Sequence, residues 1–158
     1  AENSYFHRAM CAQDYSAVTA ACMMSKKSVF EAAGGFSEDL AVAFNDIDYC
    51  MKVRSLGKLV VYAPYALLYH YESKSRGLED TPEKVARFNR EVAKFGKKWP
   101  DILRDGDPYY NPNLTLRKSN FALRDLKKEG IGEPYKLDPA IVELMKQDKK
   151  TEKQEARP

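Results

Sequence analysis

Asp46 and Asp48 stand two positions apart, directly behind Asn45, where the sequence reads as the start of a helix. A carboxylate on the first turn of a helix has a rigid backbone beneath it and can serve as general base toward a hydroxyl placed before it. The same residues also have a plain structural use. Asn45 can cap the helix, both acids suit the positive end of its dipole, and Asp48 can pair with Lys52 four residues on. Residues two apart on a helix point to different sides, so at most one of the two acids can face a substrate. A second stretch, Tyr69-His70-Tyr71-Glu72-Ser73-Lys74-Ser75-Arg76-Gly77, puts a histidine at a strand end before a basic, hydroxyl-rich loop. His70 could ligate a metal, Lys74 and Arg76 could neutralise a phosphate, and Gly77 would let the backbone come close. A hydrogen-bonded structural histidine and a solvated loop are the alternatives. A zinc site from His7, Cys11 and His70 lacks paired-ligand spacing, and no Gly-x-Ser-x-Gly elbow is present for hydrolysis.

The elements that must carry these residues follow from the pattern. The run from Ser16 to Met24 is continuously small or apolar and reads as a buried strand. Ser25 can open a short helix through Val29, Phe30 and Ala33, which Gly34-Gly35 would stop in a left-handed conformation. A second helix is predicted from about Asp46 to Leu56, with Ile47, Cys50, Met51 and Arg54 on one face and Gly57 at its end. Lys58 to Ala63 reads as a strand, and Tyr65 to Tyr71 as a second extended segment. Thr81-Pro82-Glu83 is a helix start, followed by a core-facing stripe of Val85, Phe88, Val92 and Phe95 that ends at Gly96 and Pro100. Residues 107–114 are too rich in Pro and Asn for a regular element. Asp138-Pro139 opens a last short helix, and a charged, disordered tail is expected after Met145.

With 158 residues the chain can hold one domain with a real core. A net charge of +3 does not mark a nucleic-acid binder, and Lys97 and Lys98 read as helix-end surface charge. No apolar run approaches the ~20 residues needed to span a bilayer. Three cysteines, Cys11, Cys22 and Cys50, cannot all pair and read as free thiols of a reducing cytoplasm. The opening Ala1-Glu2-Asn3-Ser4 has no initiator Met, which fits a piece of something longer.

Taken in order, Val18-Thr19-Ala20-Ala21-Cys22, Gly34-Gly35-Phe36-Ser37-Glu38, Phe44-Asn45-Asp46-Ile47-Asp48, Gly57 and Tyr69-His70-Tyr71-Glu72-Ser73 resemble the second half of the family-two glycosyltransferases. These are inverting enzymes of the GT-A fold. Asp107-Pro108-Tyr109-Tyr110-Asn111-Pro112-Asn113-Leu114 is similar to the end of a bacterial, rhamnosyltransferase-like subgroup of surface-polysaccharide synthesis. The resemblance implies an α/β fold: the C-terminal half of a GT-A, Rossmann-like domain, with a small mixed sheet, flanking helices and a helical C-terminal extension. It divides the chain into 1–115, an extension over 116–145, and a tail over 146–158.

The resemblance also implies roles. Asp46 falls on the catalytic base, with Asn45 where the family carries Glu. His70 maps to a ligand of a divalent cation, Mn²⁺ or Mg²⁺. Arg76 would lie near the donor diphosphate, with Lys74 and Ser75 of the same loop as further substrate-binding residues, and Thr19 with the Gly34-Gly35 turn would line the acceptor pocket. Asp46-Ile47-Asp48 has the letters of the family's Asp-x-Asp metal motif but the position of its base. The donor-binding half is missing, so the expected partners are a nucleotide sugar, a glycan acceptor and that N-terminal half of the polypeptide. The isolated chain is expected to be inactive. The expected location is the cytoplasm, with the inner face of the cytoplasmic membrane as a further option. Two other classes remain: a noncatalytic module binding glycan or a partner, and a nucleic-acid-binding domain. The latter needs exposed aromatics on a basic face, where Phe88, Val92 and Phe95 read as buried.

Overall fold

The computed structural model describes residues 4–69, 81–129 and 138–146. Six helices are seen among them: α1 (Lys27–Ala32), α2 (Asn45–Ser55), α3 (Pro82–Lys98), α4 (Pro100–Asp105), α5 (Leu126–Glu129) and α6 (139–146). Short 3-10 turns occur at Tyr5–Met10 and Ala20–Cys22. The sheet has two strands, β1 (Gln13–Asp14) and β2 (Val61–Tyr62), paired antiparallel with Gln13 opposite Tyr62. The fold is thus mixed α/β. No helix among the described residues is long and apolar enough to cross a membrane.

α2 is the centre of the core. Asp48, Tyr49, Cys50, Met51 and Val53 are all buried on it, so the helix is wrapped on several sides rather than resting one face on a sheet. Leu40, Val60 and Phe95 complete the buried cluster. Phe30 and Phe36 meet the Tyr49 ring at 5.5 and 5.2 Å, packing α1 and the glycine turn onto α2. That turn needs its glycines. Gly34 and Gly35 have φ of +73° and +64°, and a Cβ on Gly35 would lie 3.0 Å from the Phe30 ring.

α3 begins as its sequence dictates, with Thr81 Oγ1 accepting from the Lys84 amide and Pro82 in the first turn. It runs on through Gly96 to Lys98. Gly96 is no stop. A Cβ there would meet Leu103 of α4 at 2.9 Å and Met145 of α6 at 3.2 Å, so its bareness lets both approach. In α6, Asp138 caps the start by accepting from the Ala140 amide at 2.8 Å.

Several expectations need correction. The run Ser16 to Met24 is not a buried strand: it turns at Ala20–Cys22, and Met24 is 99% exposed. An apolar run signals burial only where a neighbour covers it, and nothing described covers Met24. The strand expected over Lys58–Ala63 shrinks to Val61–Tyr62, and residues 65–69 are irregular and exposed. The expected mixed sheet is, among the described residues, a two-stranded antiparallel ribbon. The α3 stripe is buried only at its C-terminal end, since Val85 and Phe88 stay 44% and 43% exposed while Phe95 is at 8%. The helix leans on the core there and overhangs it at its start. Of the charged tail expected after Met145, Lys146 still belongs to α6, and residues 147–158 lie outside the described residues.

Candidate active site

The two acids of α2 diverge, as the helical geometry requires. Asp48 turns inward and its side chain is fully buried. Lys98 Nζ reaches Oδ1 at 2.7 Å and the Trp99 indole donates to Oδ1 at 2.9 Å. Ser37 Oγ donates to Oδ2 at 2.7 Å, with Lys52 Nζ 3.1 Å from the same oxygen. Burial opposes the charge, but the bonds from Lys98, Ser37, Trp99 and Lys52 outweigh it and hold the carboxyl at about 2. A carboxylate so committed is a poor proton acceptor. It is a knot tying α2 to the end of α3 and to the loop at Ser37. Lys52 was legible as its partner from the i,i+4 spacing; Lys98 and Trp99 were not. Nothing in the pattern distinguishes Lys98 from any other lysine at a helix end.

Asp46 turns the other way. Oδ2 accepts the Ala20 amide at 3.0 Å and Oδ1 accepts the Ile47 amide at 2.9 Å. A carboxylate offers about four lone-pair positions, so acceptor capacity is left over. The side chain is half-buried at the positive end of a helix of 11 residues. Asn45 does not cap that helix. Phe44 holds the N-cap position without a side-chain bond, and Asn45 Oδ1 instead accepts the Asp46 amide at 2.7 Å.

The bond to Ala20 brings Asp46 beside Thr19, whose Oγ1 caps the 3-10 turn by accepting the Ala21 amide at 3.3 Å. Thr19 also stands on the wall of a large cleft of about 1690 Å³. Gly34 and Gly35 are placed elsewhere: the Gly35 carbonyl accepts from Lys52 Nζ at 2.9 Å, on the Asp48 side of α2. His70, Lys74, Ser75 and Arg76 lie outside the described residues. Among the described residues no cluster of His, Cys, Asp or Glu could hold a metal ion.

The Pro- and Asn-rich segment after α4 docks onto the far end of α2. Ser16 Oγ donates to Asp107 Oδ1 at 2.5 Å and accepts from Arg54 Nη1 at 3.0 Å. The Arg54 guanidinium also lies 5.5 Å from the centre of the Tyr109 ring. Asp107 and Asn111 spend their side chains on local turns, accepting the amides of Tyr109 and Asn113. Leu114 then bridges Leu123.

No protein-family model and no solved structure matches the chain. Two curated proteins are similar to three-quarters of it. The uncharacterized protein y4gI of Sinorhizobium fredii is 54% identical over 121 residues, which cover 75% of this chain and 13% of that protein. The O-antigen biosynthesis protein RfbC of Myxococcus xanthus is 34% identical over 118 residues, covering 75% of this chain and 9% of its own length. The chain therefore spans a small share of either relative.

Proposed function

We propose that the chain is the acceptor-side part of an inverting, nucleotide-sugar-dependent glycosyltransferase that works in glycan assembly, with Asp46 as its base. The observation that carries this reading is the division of labour between the acids of α2. Asp48 is consumed by four donors in the interior, and Asp46 is left half-exposed beside Thr19 with acceptor capacity to spare. A hydroxyl of the acceptor sugar would give its proton to Asp46 as its oxygen attacks the anomeric carbon from the side opposite the leaving nucleotide. Similarity to the O-antigen biosynthesis protein of Myxococcus xanthus supports a role in polysaccharide synthesis.

A divalent cation with His70 as a ligand, and a donor diphosphate bound by Lys74, Ser75 and Arg76, belong to the same proposal. Among the described residues no group of His, Cys, Asp or Glu could hold a metal ion, and the role proposed for them is to hold the acceptor and take its proton. The donor half would come from elsewhere in a longer polypeptide. One feature supports such a covering segment. The cleft lined by β2 exceeds the ~300–1,000 Å³ of usual small-molecule sites, and Val61 of β2 and Leu59 just before it are 54% and 65% exposed. A cytoplasmic site of action, with the inner membrane face as a further option, belongs to the same proposal.

The test is nucleotide release from a panel of nucleotide sugars by the longer polypeptide containing this segment, with and without Asp46→Asn. Transfer should fall at least ~10²-fold while folding survives. Full activity of that variant would remove Asp46 from the chemistry.

A further inference from the structure

The start of α2 is held in an unusual way. Its N-cap residue, Phe44, has φ 65° and ψ 2°, a left-handed conformation that a bulky side chain seldom adopts. The N-cap residue itself supplies no side-chain bond to the first turn. Such a conformation persists only where the surroundings over-determine it, and it is a signal to look for function. Here the constraint comes from α3. The Phe44 ring stacks on Phe95 at 5.3 Å and tilts onto Phe88 at 5.6 Å. One residue earlier, the Ala43 amide donates to Glu91 Oε2 at 2.6 Å, and Glu91 is only 5% exposed. A buried carboxylate reaching 48 residues back in sequence to a backbone amide, three residues before Asp46, is more than surface decoration.

We infer that Glu91 is a positioning residue for Asp46. By fixing the Ala43 amide it holds Phe44 in its left-handed turn. That sets the angle at which the chain enters α2, and so the direction in which the Asp46 carboxylate leaves the first turn toward Ala20. The proposal rests on the reading of Asp46 as the base, but its geometric content stands apart from activity. Glu91 touches no reacting atom. It acts through the backbone, and any acceptor of similar length at position 91 can do the same work.

The test uses the chain itself and the amide resonance of Ala20, which reports the bond to Asp46. Asp46→Asn should shift the Ala20 amide proton in the unsubstituted background. With Glu91→Met, which keeps the side-chain volume but cannot accept the bond, that shift should shrink to less than half. Glu91→Gln, whose amide oxygen still accepts, should restore it. A role in stability alone would leave the Ala20 response equal in all three folded backgrounds, and that result would overturn the proposal. Should Glu91→Met not fold, the unsubstituted chain still decides. The Ala43 amide must exchange slowly with solvent, and rapid exchange there would overturn the proposal equally. In the longer polypeptide, loss of transfer with Asp46→Asn alongside an unaltered Ala20 response in Glu91→Met would keep the base and discard the role of Glu91. An altered response alongside full transfer by Asp46→Asn would do the reverse.

Discussion

Neutralising Asp48 should strongly destabilise the chain, because its buried carboxylate is surrounded by four donors. Asp48→Asn keeps the shape but replaces a carboxylate surrounded by four donors with an amide that turns two of its own hydrogens toward some of them. Removing one partner of a buried ion pair costs roughly 3–5 kcal/mol. Lys98 is 37% exposed and Lys52 17%, so both can swing partly into water, which favours the lower end, about 3 kcal/mol. At roughly 2–4 °C for each kcal/mol in a domain of this size, Tm should fall by about 6–12 °C. The acid limb gives an independent check. The native carboxyl is drawn down from 3.8 to about 2, a difference worth about 2 kcal/mol. A depressed carboxyl stabilises the fold above its unfolded value, and the contribution drains away as pH falls from about 4 through about 2. Urea titrations followed by Trp99, the single tryptophan and itself a donor to Asp48, measure both effects. Asp48 should account for about 2 kcal/mol of the stability the unsubstituted chain loses over that window, and Asp48→Asn should lack that share of the acid sensitivity. A cost below about 1 kcal/mol, or an unchanged acid limb in the variant, would refute the assignment of Asp48 as the knot of the core.

Asp46→Asn, by contrast, should move chemical stability by less than about 1 kcal/mol in the same titration, since the amide oxygen can still accept the Ala20 amide. Gly35→Ala should cost about 1–2 kcal/mol, because φ of +64° is strained for alanine and the new methyl meets Phe30; equal stability would show that the turn relaxes freely. Cys11 and Cys22 are exposed, while Cys50 is buried and its thiol is pushed up by that burial. A thiol-reactive dye should therefore label the first two quickly and Cys50 only on unfolding; early labelling of all three would contradict the packing around α2. The isolated chain should release no nucleotide from any nucleotide sugar, and turnover by it alone would end the proposal that a donor half lies elsewhere.

Local chemistry was legible from sequence wherever neighbours along the chain decide the outcome. Thr81-Pro82 starts α3, Gly34-Gly35 and Gly57 end their helices, and the i,i+4 pair of Asp48 and Lys52 forms as its spacing implies. Opposite directions for Asp46 and Asp48 follow from a helical period alone. What only the tertiary structure decided is which acid is spent and by what. Lys98, Trp99 and Ser37 converge on Asp48, and Glu91 reaches Ala43, across separations of 11 to 51 residues. No periodicity encodes such meetings. The same limit explains the lost strand at Ser16–Met24. An apolar run states that burial would be favourable, not that a neighbour is there to provide it, and in this fold Met24 faces an open cleft. Hydrophobic pattern is a property of the chain, whereas burial is a property of what the chain meets.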